Sequence, residues 1–177
     1  YSGAELRASC ARYAKLGQWP LVQQYCAGQG LGQFFFMHKG QAVRSFQHAR
    51  LAEWPPEGGF SSVCESVPLS HHAELQRKSI ALLQAMDWEG VAMVEYRFDS
   101  ATGEAVLMEI NGRFWGSFPL AFYSNAAFAL LAYALQGMQR PIVLPPLRTG
   151  IRCRMVATEL KRLLRIVFQS DKIADRS

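Results

Sequence analysis

At 177 residues, half of them hydrophobic and 19% charged, the chain is long enough to bury a single-domain core and too apolar to be disordered. Its formal charge of +5 is scattered except for Arg148, Arg152, Arg154, Lys161, Arg162 and Arg165, and a basic helix of that kind is usually a solvated face, which disfavours nucleic acid. No run of eighteen apolar residues exists to cross a membrane, the 126–135 stretch being too short, and no secretory leader is visible.

Cys10, Cys26, Cys64 and Cys153 show no CxxC pair and no metal-ligand spacing, so reduced thiols and a cytoplasmic location are expected. Helical spacing begins at 4–16, with Ser2 as N-cap and Gly17 as stop. Pro20 then opens a strand, Leu21-Val-Gln-Gln-Tyr-Cys26. The Gly28-Gln-Gly-Leu-Gly32 run connects it to a strand over 33–38, and the turn at Lys39-Gly40 leads to a third strand through about 49. Residues 51–62 contain Trp54-Pro-Pro-Glu-Gly-Gly59, which can neither be helix nor join a central ladder, and are expected to form a loop. A short strand over 63–67 precedes a helix over 70–86, in which Leu75, Ser79, Leu82, Leu83 and Met86 share one side.

Strands 91–98 and 106–113 follow, separated by Ser100-Ala-Thr-Gly103. If 101–103 form a three-residue loop with Gly103 in the left-handed region, Glu95 lies directly opposite Glu109. Opposed side chains have Cβ atoms roughly 5 Å apart, and like charges there destabilise a sheet. Something positive should lie between them. Two carboxylates with the Asn111 amide make an oxygen-only set suited to a hard cation such as Mg²⁺, which takes its remaining ligands from water and a phosphate. Alternation puts Leu107, Glu109, Asn111 and Arg113 on one face and Val106, Met108 and Ile110 on the core face. The guanidinium of Arg113 supplies a rigid fork for phosphate or carboxylate oxygens. Beyond the hairpin, a helical stretch over 119–136, a connector marked by Pro141, Pro145 and Pro146, and a final amphipathic helix over 157–168 with Leu160, Leu163, Leu164 and Val167 on one side complete an α+β fold, an antiparallel sheet with helices against one face.

Other motifs carry less. The glycines of Gly28-Gln-Gly-Leu-Gly32 precede a strand, not a helix, which excludes the dinucleotide fingerprint and leaves a hairpin connector. Gln23, Gln24, Tyr25 and Cys26 would form a strand leaving the sheet, able to offer backbone groups to an adenine edge. His48 and Arg50, two positions apart, share a face and could meet a phosphate or an acidic substrate. His71 and His72 point in different directions and make a poor metal pair. No Ser/His/Asp or Cys/His arrangement indicates a protein nucleophile.

Taken in order, Leu21-Val-Gln-Gln-Tyr-Cys26, Phe46-Gln-His-Ala-Arg50, Val94-Glu-Tyr96 and Met108-Glu-Ile-Asn-Gly-Arg-Phe-Trp-Gly-Ser117 resemble the ATP-grasp superfamily, in particular the group that includes biotin carboxylase and the carbamoyl-phosphate synthase large chain. The resemblance implies an ATP-dependent carboxylate ligase, in which a carboxylate attacks the γ-phosphoryl and the acylphosphate is taken by an amine or another nucleophile. Carried over by motif, Glu95, Glu109 and Asn111 hold Mg²⁺, with Mn²⁺ as an alternative ion. Arg113 orients the substrate or the transferred phosphoryl group, and Arg50 and His48 face the phosphates or the carboxylate. Gln23, Gln24, Tyr25 and Cys26 form the adenine hinge, although the family commonly has an acidic residue where Gln23 or Gln24 stands. The family's phosphate-gripping lysines and glycine-rich lid precede the hinge, so the chain reads as the C-terminal part of the fold: 1–26 a remnant of the N-terminal subdomain with the hinge, 27–140 the C-terminal subdomain, 141–177 a connector and helix. Its expected partners are a nucleotide, a small-molecule carboxylate, and a preceding N-terminal portion or a second copy. Alone it would be inactive. The alternative reading is a noncatalytic binding or assembly module that keeps the sheet.

Overall fold

The computed structural model describes residues 2–55 and 59–168. Helix α1 (Gly3–Ala14) forms by local means: the Ser2 hydroxyl accepts from the Glu5 amide while the Glu5 carboxylate accepts from the Ser2 amide, and no residue of the helix is buried. The next regular element is β1 (Gln29–His38), so the strand expected at Leu21-Val-Gln-Gln-Tyr-Cys26 is not formed. A strand exists only where an edge accepts it, and both edges of β1 are taken, by β2 (Gln41–Trp54) and β4 (Gly90–Phe98). Leu21, Val22 and Tyr25 are therefore exposed.

With β3 (Phe60–Ser66), β5 (Ala105–Asn111) and the short β6 (Arg152–Arg154), these strands make one six-stranded antiparallel sheet in the order β5-β4-β1-β2-β3-β6. β1 is central and buried from Gly30 to Met37. The expected connector at Gly28-Gln-Gly-Leu-Gly32 is thus the first half of a core strand. The loop expected over 51–62 also shrinks: β2 runs on to Trp54, the Trp54–Pro55 peptide is cis, and β3 begins at Phe60. Pro56, Glu57 and Gly58 lie outside the described residues.

Alternation divides the central side chains between two cores. On one face Leu31, Phe35, Met37, Ala92, Val94 and Tyr96 pack with Leu83 of α2 (Ala73–Ala85). The other carries Phe34, Phe36, Phe46 and Met93 against Trp115, Leu120 of α3 (Phe118–Tyr123), and Phe128 and Leu131 of α4 (Phe128–Leu131). Helices cover both faces, not one as expected. The helical stretch expected over 119–136 is broken at Asn125 and Ala127, whose φ angles of 61° and 57° no right-handed helix admits, and α4 runs into a π-helical turn over Ala132–Gly137. Helix α5 (Val156–Phe168) follows β6 and leaves Leu160, Leu163, Leu164 and Val167 exposed.

Candidate functional site

The two glutamates face each other as the spacing requires, Glu95 of β4 pairing with Glu109 of β5. The route to that register differs from the expected one. Phe98 pairs with Ala105 and Tyr96 with Leu107, so the turn is one residue longer than a three-residue loop, with Gly103 at φ 74°. The register then shifts between Tyr96 and Glu95, and Met108 is the extra residue of a bulge. One consequence is a correction: Met108 leaves the core and is exposed like Leu107, while Ile110 still packs on the α2 side.

The positive group that this pair calls for is Arg50. Its Nη2 lies 2.7 Å from Glu95 Oε2, and the two side chains are only 11% and 14% exposed. Glu53 Oε1 approaches Arg50 Nη1 at 3.6 Å and Arg97 Nη1 at 3.1 Å, giving an alternating chain Arg97, Glu53, Arg50, Glu95, with Glu109 beside it. Glu53 was not legible as a site residue, because strict alternation sends it to the opposite face from Arg50. Register shifts between Arg50 and Glu53 turn it onto this face. Burial pushes the Glu95 carboxyl above its ordinary value; Arg50 opposes this and Glu109 adds to it.

Two glycines make room for the chain of charges. A Cβ on Gly30 would come within 2.5 Å of Arg50 Cδ, and one on Gly32 within 2.6 Å of the Phe34 ring and 3.0 Å of His48 Nε2. Gly32 stands between His48 of β2 and Glu95 of β4 in one row across the sheet. These glycines are close-packing positions in a strand, which explains why a turn was the wrong reading of them.

Asn111 Nδ2 donates to Glu109 Oε1 at 2.7 Å, fixing the amide beside the carboxylates. Arg113 follows β5, and its guanidinium donates to the carbonyl of Phe114 at 3.2 Å. Arg50, Glu95, Glu109, Asn111 and Arg113 line a cleft of about 310 Å³, with Phe60, Met93, Trp115 and Met155 also in its lining. Buried polar atoms of the lining lack partners: Arg50 Nε, Ser61 Oγ and Trp115 Nε1. The first and last can only donate, and none of the three atoms has surface open to the cleft. The donor set suits a hard cation through Glu95, Glu109 and the Asn111 oxygen, and an anion through the two arginines. Among the described residues no group of three His, Cys, Asp or Glu is placed to hold a metal ion, so a cation here would rely on the amide and on ligands from outside the protein.

The remaining candidates lie apart. His48 is 1% exposed, stacks on Phe34 at 4.8 Å between centroids, and meets Ser117 Oγ through Nε2 at 3.1 Å. Burial pushes its pKa down to about 3, with Arg50 adding to the effect, so it is neutral. It sits behind the cleft and does not line it. Gln23, Gln24, Tyr25 and Cys26 occupy the irregular exposed segment, with Tyr25 79% exposed, and the cleft lining includes none of them.

No family model matches the chain, and no curated protein matches it. Solved structures do. The antiparallel sheet with its flanking helices has the fold of the ATP-grasp enzymes. The solved structures it resembles in fold are biotin carboxylase domains, of which it matches a part. The biotin carboxylase domain of a thermophilic 2-oxoglutarate carboxylase, bound to bicarbonate, superposes with a TM-score of 0.63 at 10% identity, covering 86% of this chain and 37% of that one. Biotin carboxylase of Campylobacter jejuni, in a β-γ-ATP complex, gives 0.55 at 12% identity over 73% of this chain and 30% of that one. The corresponding domain dimer of Hydrogenobacter thermophilus 2-oxoglutarate carboxylase, with MgADP and bicarbonate, gives 0.54 at 9% identity over 70% and 28%. The chain therefore spans well under half the length of each of these structures. At such identities the likeness establishes the fold and leaves chemistry to the site itself. Among the described residues no helix is long and apolar enough to cross a membrane.

Proposed function

We propose that this chain is the metal- and phosphate-facing portion of an ATP-grasp ligase that activates a carboxylate as an acylphosphate for attack by an amine or another nucleophile. The observation that carries the reading is the opposition of Glu95 and Glu109 in a cleft whose other polar groups include the Asn111 amide and the guanidinium groups of Arg50 and Arg113. The relatives in fold support it, since two were solved with a nucleotide and one of those with magnesium.

In this reading Glu95, Glu109 and the Asn111 oxygen hold Mg²⁺. The ion, when bound, supplies positive charge at the phosphate oxygens, where phosphoryl transfer needs it. Arg113 presents its fork to the carboxylate or the transferred phosphoryl group. Arg50, already desolvated beside Glu95, serves as the counter-cation of the glutamate pair in the ion's absence and as a second anion-binding group in its presence. His48, neutral and buried, holds Ser117 and the floor in place instead of meeting phosphate directly. The backbone of Gln23, Gln24, Tyr25 and Cys26, outside the sheet and open to solvent, is available as the adenine hinge. The lysines and lid that grip the triphosphate in ATP-grasp enzymes would come from a segment ahead of that hinge, and without them the chain would bind Mg-nucleotide weakly and turn over nothing.

The test is ADP formation by this chain joined to such a segment. Glu109→Ala is expected to lower turnover by at least a hundredfold with folding intact by circular dichroism. Unchanged turnover would remove the metal assignment.

A further inference from the structure

The cleft has two chemically different ends, and their order across the sheet identifies the kind of carboxylate it would take. Glu109 and Asn111 lie on edge strand β5 and Glu95 on β4; Arg50 is on β2; Phe60 and Ser61 open β3, and Met155 follows β6 at the far side. Passing from β5 towards β6, the carboxylates come first, with Met93 of β4 beside Asn111, then the Arg50 guanidinium, then Phe60 and Met155. Phe60 and Met155 are each about half exposed, at 51% and 46%, whereas Met93 and Trp115 are buried.

Three features of the far end need explaining together. The first is the exposed apolar pair itself: large apolar side chains that share a concave wall usually receive an apolar group. The second is the pair of guanidinium groups, those of Arg50 and Arg113, on residues that line the same cleft and are suited to carboxylate oxygens. The third is methionine at position 155, whose unbranched thioether adapts to more than one shape. A bicarbonate ion would engage the donors and leave the Phe60 and Met155 wall in water. A carboxylate carrying an apolar body would satisfy both, its oxygens at Arg50 and Arg113, and its hydrocarbon along Phe60 and Met155.

From this geometry we infer that the acyl substrate is an organic carboxylate with an aliphatic or aryl substituent, and not bicarbonate. The inference rests on the ligase reading for the role of the site but not for the binding itself, which depends on the arginines and the apolar wall.

The experiment is ligand-observed NMR on the 177-residue chain with bicarbonate, acetate, butyrate and hexanoate as probes, each with and without Mg²⁺, alongside a Mg²⁺ titration. Burying one methylene is worth about fourfold in affinity, so hexanoate is expected to bind on the order of tenfold or more tighter than acetate, with bicarbonate weakest. Phe60→Ser and Met155→Gln are each expected to reduce the acetate-to-hexanoate ratio to within about twofold while Mg²⁺ binding is unchanged; two variants on different strands guard against one failing to fold. Bicarbonate or acetate binding as tightly as hexanoate, a chain-length effect that survives both substitutions, or no measurable carboxylate binding at all would each overturn the inference. Failure of the ligase reading looks different: Mg²⁺ would not bind, or would bind Glu109→Gln equally well, whatever the carboxylates do.

Discussion

Glu95 ionises with difficulty because it is buried and faces Glu109, and Arg50 works against both effects. The sign of the resulting pH dependence follows from linkage. With its folded pKa above the ordinary 4.5, the group favours the folded state below that value, and the contribution is lost as pH rises through the raised pKa. Chemical denaturation without metal is therefore expected to show Glu95→Gln losing less stability than the parent as pH rises from about 4.5 upward; a parallel loss in both proteins would contradict the assignment. Gly30 offers a steric counterpart. Gly30→Ala places a methyl against Arg50 Cδ, and overpacking of this kind costs about 1–3 kcal/mol, so a denaturation midpoint indistinguishable from the parent would mean that Arg50 is free to move aside. At this scale the sequence was readable as to placement at Glu95, Glu109 and Asn111, which line one cleft. Gly30, Gly32 and Glu53 were not, because a glycine reports only the absence of a side chain and Glu53 reaches the site through irregularities of β2 that leave no composition signal.

Among the elements, the β4–β5 hairpin shows how a correct register can arise from two compensating departures. The longer turn shifts the pairing by one and the Met108 bulge shifts it back, so alternation counted from the turn gave the right partner for Glu95 and the wrong environment for Met108. The missing strand at 21–26 has a different cause: local residues favour extension, but pairing depends on an edge supplied by another part of the molecule. Helix α1 is the opposite case, formed by its own cap with none of its residues buried. Ser2→Ala removes a cap worth about 1 kcal/mol, so faster amide exchange is expected over 3–14 with the sheet's protection and the global transition unchanged. A matching drop in the global midpoint would show that α1 contributes to the core after all.

For the whole molecule, the alternation of apolar residues in strands and the helical spacing over 70–86 were enough to define an antiparallel α+β sheet with a helix on it. Coverage of the second face was hidden because the helical stretch after residue 117 breaks at Asn125 and Ala127, neither of them a residue that announces a break. That second layer matters to the site, since Trp115 and the chain leading to α3 close one side of the cleft over the sheet. The central claim is that the opposed glutamates seat a hard cation in competition with Arg50. It is tested most directly by titrating the chain with Mn²⁺, as a paramagnetic substitute for Mg²⁺, and following free ion by electron paramagnetic resonance from pH 5 to 8. The account predicts one site, and a Glu109→Gln variant at least tenfold weaker throughout. Equal affinity in the two proteins would contradict it.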